Sequence, residues 1–142
     1  MLGLLSSMAF VLFTGCSSFN REWREAGQAP APPDSITGRW EGRWISHGNG
    51  HIGALRRVIK PETNSISPAH FRATYLKMAR FGYSVPLEVS NSNGLWHFQG
   101  QEDLGAVAGG VYRYEGFAKA KNFEAIYTSK HDHGVFQMQR AE

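Results

Sequence analysis

The chain has 142 residues, a formal charge of +3 and a single cysteine. That length encloses one hydrophobic core at most, and a lone cysteine excludes an internal disulfide, so packing alone must hold the fold. The basic residues are spread along the chain instead of forming a block, which argues against nucleic acid as a partner and leaves the excess charge as solvated surface.

Residues 1–15 carry no charge, are apolar from Met8 to Phe13, and end in small residues before Cys16. The run is too short to span a bilayer and has the apolar centre and small-residue end of a secretory signal, without the usual basic start. Phe13-Thr14-Gly15-Cys16 resembles the bacterial lipobox, in which cleavage precedes a cysteine that becomes the acylated first residue; Phe13 stands where leucine is usual. The resemblance implies lipidation at Cys16 and membrane lipid as a partner. Ser17 and Ser18 then fit an outer-membrane address, so the expected location is its periplasmic face. A free thiol or a disulfide partner is the other reading of Cys16. The text REWREAGQAPAPP, residues 21–33, reads as a charged stretch followed by an extended Pro/Ala tether. The expected organisation is a signal at 1–15, an acylated N-terminus and tether at 16–33, and a folded domain at 34–142.

From residue 34 onward, glycines and polar turns recur at the spacing of an all-β protein. Strands are predicted at 36–46, 53–60, 70–78, 83–90, 95–101, 110–119, 123–129 and 134–140, separated by turn texts such as HGNGH, NSNG, AKAKN and KHDHG. Successive strand residues face opposite sides, so Gly38, Trp40, Gly42 and Trp44 share the inner face of the first strand against Arg39, Glu41 and Arg43 outside. The same alternation turns Phe71, Tyr75, Tyr83, Trp96, Phe98, Tyr112, Tyr114, Phe123, Tyr127, Phe136 and Met138 inward. In GALRRVIK either Arg57 goes in with Leu55 and Ile59, or Arg56 with Ala54 and Val58; the first register is favoured. FRATY at residues 71–75 echoes FEAIY at 123–127, as two similar hairpins in one sheet would. The expectation is an all-β, eight-stranded antiparallel up-and-down barrel, because closure removes exposed edges. Such a barrel is either filled by side chains or holds one small ligand.

Closure places the first and last strands side by side, with Trp40 and Arg140 at the same end and within reach of a cation–π contact. Gly38-Arg39-Trp40 resembles the Gly-x-Trp signature of the lipocalin and calycin barrels, which include avidin-like and fatty-acid-binding proteins. Arg140 matches their basic residue on the final strand, and the resemblance implies that Gly38, Trp40 and Arg140 close the barrel. The chain departs from typical lipocalins in being shorter, in lacking cysteine pairs and in showing no C-terminal helix.

The same topology gathers His47, His51, His131 and His133 on the opposite rim, with the turn at residues 101–103. Four imidazoles can hold zinc, but neither spacing is a metal motif, so solvated turn histidines and no cofactor are expected. A catalytic reading would pair His131 or His133 with Asp132 and use Ser46 or Ser129 as nucleophile. Adjacent turn residues seldom aim at one another, and no Gly-x-Ser-x-Gly elbow is present, so a non-enzymatic protein is expected. Inside, Trp44, Tyr75, Trp96, Tyr112, Tyr114 and Tyr127 are expected to line an apolar cavity, and an inward Arg57 favours a small apolar or carboxylate ligand. The alternative is a filled barrel serving as a structural or interaction lipoprotein.

Overall fold

A computed structural model describes residues 12–28, 34–75, 79–106 and 109–142, with side chains from residue 18 onward and excepting 79–81. Most of the expected signal, the Pro/Ala residues 29–33 and the expected end of the third strand at 76–78 lie outside the described residues. A helix, α1 (Leu12–Ala26), precedes eight strands: β1 (Gly38–Ser46), β2 (Ile52–Ile59), β3 (Ile66–Tyr75), β4 (Ala79–Ser92), β5 (Leu95–Asp103), β6 (Val111–Lys119), β7 (Asn122–Thr128) and β8 (His133–Arg140). Every strand pairs antiparallel with its chain neighbours, and β8 returns to β1, closing the barrel.

Alternation sorts the side chains as expected, since a one-residue slip would send each strand's apolar set outward. Trp40, Leu55, Phe71, Leu87, Phe98, Phe123 and Met138 are buried, and Arg57 points inward with no exposed surface. β3 starts earlier and β4 runs longer than the turn residues imply. Pro68 and Pro86 lie inside these strands and pair at one rung; the Val89 N–H donates to the Ser65 carbonyl, which sets the β3–β4 hydrogen bonds at alternate rungs and makes this one a rung that needs no N–H between the two strands.

At the closed end Trp40 and Arg140 are cross-strand partners, with the guanidinium 4.3 Å from the indole centroid. Arg140 donates through Nη1 to the Thr37 carbonyl at 2.8 Å and through Nη2 to that of Ser35. The Trp40 indole donates to the Ile36 carbonyl at 2.9 Å. The chain entering the barrel is thereby fastened beneath it.

The expected extended tether is corrected over residues 21–26, which form the last turns of α1. Phe19 and Trp23, four apart, fall on one helical face, and their rings stack at 5.9 Å. That face covers the outer barrel wall: Phe19 is fully buried with its ring against His70. Trp23 lies against the guanidinium groups of both Arg39 and Arg56. Between them Glu22 reaches His70 at 2.9 Å and Lys60 at 3.2 Å. The charges that read as tether chemistry are contacts to the charged outer faces of β1–β3.

Candidate functional site

Strand direction puts the β1–β2, β3–β4, β5–β6 and β7–β8 connections at the end away from Trp40, and the interior opens there into a cavity of about 450 Å³. Trp44, Tyr75, Tyr112, Tyr114 and Tyr127 line it as expected, joined by Tyr83, Phe136 and Asp132. The walls are stacked rings. Phe71 lies 8° from the plane of Tyr83, and Tyr114 is within 18° of Phe71, Tyr83 and Tyr112. Near the mouth Trp44 stacks on Tyr75 at 5.8 Å and donates its indole N–H to the Thr74 carbonyl. Gly53 makes this possible, because a Cβ there would meet Trp44 Nε1 at 2.2 Å.

Trp96 does not line the cavity. It is the second residue of β5, at the closed end, where its indole donates to the Asp34 carbonyl at 3.1 Å. Alternation fixes which face a residue takes but not its height along the barrel axis, and height is what excludes Trp96.

The rim residues build turns. Asp132 Oδ1 accepts from the Ser46 hydroxyl at 2.5 Å and from the His133 backbone N–H at 2.9 Å, while Oδ2 accepts from the Tyr127 hydroxyl at 3.0 Å. Ser46 Oγ in turn accepts from the backbone of Gly48 and Asn49. Ser129 donates to the Asp132 carbonyl and accepts from the Asp132 backbone N–H. Among the described residues, no imidazole is hydrogen-bonded to either serine hydroxyl, so the geometry assembles no Ser–His pair. The four histidines divide: His47 and His133 lie 6.1 Å apart between ring centroids, His51 hydrogen-bonds the Tyr75 hydroxyl at 2.8 Å, and His131 is exposed in its turn. Among the described residues, no three His, Cys, Asp or Glu side chains are grouped to hold a metal ion.

Below the cavity lies the least expected chemistry. The Arg57 guanidinium is held between the rings of Phe71 at 3.9 Å and Phe123 at 4.0 Å. None of its three nitrogens has a hydrogen-bond partner among the described residues, and neither has the Tyr114 hydroxyl. Burial pulls Arg57 well below the usual guanidinium range, with Tyr83 and Tyr114 opposing it. Burial also pushes Tyr83 up to about 12, and pushes Tyr114 up as well. Sequence reasoning placed Arg57 inside but missed Phe123 and Tyr83 as its surroundings. The inward parity of both and the FRATY/FEAIY echo were the available signals.

Compared with known proteins, the chain matches no family model, no curated protein and no solved structure. What its structure establishes is a small, closed, eight-stranded antiparallel barrel consistent with a lipocalin-like fold.

Proposed function

We propose that the protein is a non-enzymatic, lipid-anchored domain of the cell envelope whose barrel binds a small, partly apolar molecule. The observation that carries this reading is the cavity of about 450 Å³ walled by stacked aromatic rings. Pockets that take small molecules span roughly 300–1,000 Å³ and combine apolar walls with a few polar groups. A barrel evolved only to be filled would interdigitate those rings at crystal-like density.

The anchor rests on the lipobox-like text ending at Cys16. Phe19, only three residues later, is already buried against the barrel wall. An acylated Cys16 would therefore hold the barrel close to the bilayer, without a long spacer. A competing interaction role draws on Ile52, Ile45, Val135 and Ile126, which form one outward row across β2, β1, β8 and β7. Ile52 and Ile126 are more than half exposed, as a protein-binding patch would be.

Native mass spectrometry of the protein extracted from its own envelope tests the binding reading: a retained small-molecule mass is expected. A bare polypeptide mass, together with tryptophan emission that ignores a panel of fatty and aromatic acids, would leave the interaction role in its place. Cys16→Ser should move the protein into the soluble fraction; continued membrane retention removes the anchor.

A further inference from the structure

Inward positions descend β2 and β3 together. Leu55 pairs with Ala73, which lines the cavity, and Arg57 pairs with Phe71 one inward layer lower. Arg57 thus lies directly beneath the floor of the cavity, and Tyr83 and Tyr114 line that cavity from β4 and β6. We infer that the ligand carries a carboxylate head that is taken up by Arg57 and Tyr114 below the floor, while its apolar remainder lies against the ring wall toward the mouth. The inference rests on the ligand-binding reading above and names the chemistry of that ligand.

Three features argue for it. A fully buried, unpaired cation is strongly destabilising, and a methionine of similar length would fill the same space without that penalty. A position that retains the charge is explained by a partner that neutralises it. Next, the guanidinium lies over the rings of Phe71, Phe98 and Phe123, none of which offers it an acceptor. The two parallel N–H bonds of a guanidinium match a carboxylate edge to edge, and a carboxylate supplies the acceptors those rings lack. Last, the three guanidinium nitrogens are buried donors left without acceptors, and the Tyr114 hydroxyl, within hydrogen-bond geometry of no acceptor among the described residues, has the Tyr83 hydroxyl near it. An ionised carboxylate accepts only, and its four lone-pair sites serve both. Because Arg57 has no exposed surface, the head must displace one ring of the Tyr83–Tyr114 stack, whose centroids are 6.4 Å apart.

The test uses two neutral-isostere pairs, decanoate with decanamide and 2-naphthoate with 2-naphthamide, titrated into the wild-type chain and Arg57→Met by calorimetry. In wild type at least one acid should bind at least tenfold more tightly than its amide, and the pair that does so tells an acyl chain from an aromatic acid. In Arg57→Met that ratio should fall to within twofold, while the ligand-free variant melts at or above the wild-type temperature. Equal binding of acid and amide to wild type overturns the carboxylate head and leaves the cavity reading standing, as does a preference that survives in Arg57→Met. Binding of no compound in either pair removes both readings. If Arg57→Met does not fold, the wild-type ratio decides alone, read also as the rise in melting temperature that each compound produces.

Discussion

The hydroxyl of Ser46 and the carboxylate of Asp132 lie 86 positions apart in sequence and 2.5 Å apart in space, a clasp across the barrel seam. It ties the β1–β2 turn to the β7–β8 turn, and the Tyr127 hydroxyl joins it from the cavity side. Hydrogen bonds to a charged acceptor contribute about 1.5–3 kcal/mol. Ser46→Ala and Asp132→Asn should each lower unfolding free energy by about 1–3 kcal/mol, and the double variant should fall short of the sum by at least about 1 kcal/mol. Urea denaturation of all four proteins measures this. Strict additivity would mean the two side chains act independently.

At the other pole, Arg140 serves two carbonyls and one indole face at once. Arg140→Ala leaves the Ser35 and Thr37 carbonyls without their donor, and the expected loss is about 2–3 kcal/mol. Arg140→Lys should recover less than half of it, because one ammonium does not reproduce a planar fork. Full recovery in the lysine variant, seen by urea midpoint, would reduce the residue's role to its charge.

These two clasps mark how far the sequence was legible. Strand alternation has a period of two residues, so the inward faces of Trp40, Tyr114 and Arg140 followed from their positions alone, whereas Arg57 was the favoured one of two registers in a strand with arginines of both parities; chain-order pairing put the histidine turns on one rim. Height within the barrel has no comparable periodic signal, so Trp96 was assigned to a cavity it does not reach. The α1 docking face was hidden because Phe19 and Trp23 make one short apolar ridge among charges that match partners far along the chain, Lys60 and His70 among them. Asp132 read as a possible catalytic orienter because its true partners, Ser46 and Tyr127, become visible only once the seam is closed.

The helix contact should be sensitive to acid. Burial pushes the Glu22 carboxyl up, but hydrogen bonds from His70 and Lys60 outweigh it and hold the group below its ordinary value. A carboxyl lowered by folding contributes its full stabilisation above the unfolded value and loses it as pH falls through the folded one. Glu22→Gln should therefore cost about 0.5–2 kcal/mol at pH 7 and clearly less at pH 3, because the wild-type carboxyl takes up its proton as pH falls through the folded value. Urea midpoints at the two pH values decide it. A difference undiminished at pH 3 would show that the carboxylate charge is not what docks the helix.

The tyrosines predict the opposite behaviour in alkali. Burial raises Tyr83 to about 12 and lifts Tyr114 further, and for Tyr127 burial acts together with the neighbouring Asp132 carboxylate. Unfolded phenols titrate near 10. Above that value the unfolded chain has released protons that the folded barrel still binds, so stability is intact below about pH 10 and falls as pH rises, by up to about 1.4 kcal/mol per pH unit for each phenol held protonated. Absorbance at 295 nm should thus show these three phenols ionising late, in step with the loss of near-ultraviolet circular dichroism. Ionisation of all five tyrosines with a midpoint near 10, while the dichroism stays native, would mean that solvent reaches the phenols through the mouth. The ring wall would then be too open to shelter a ligand's apolar part.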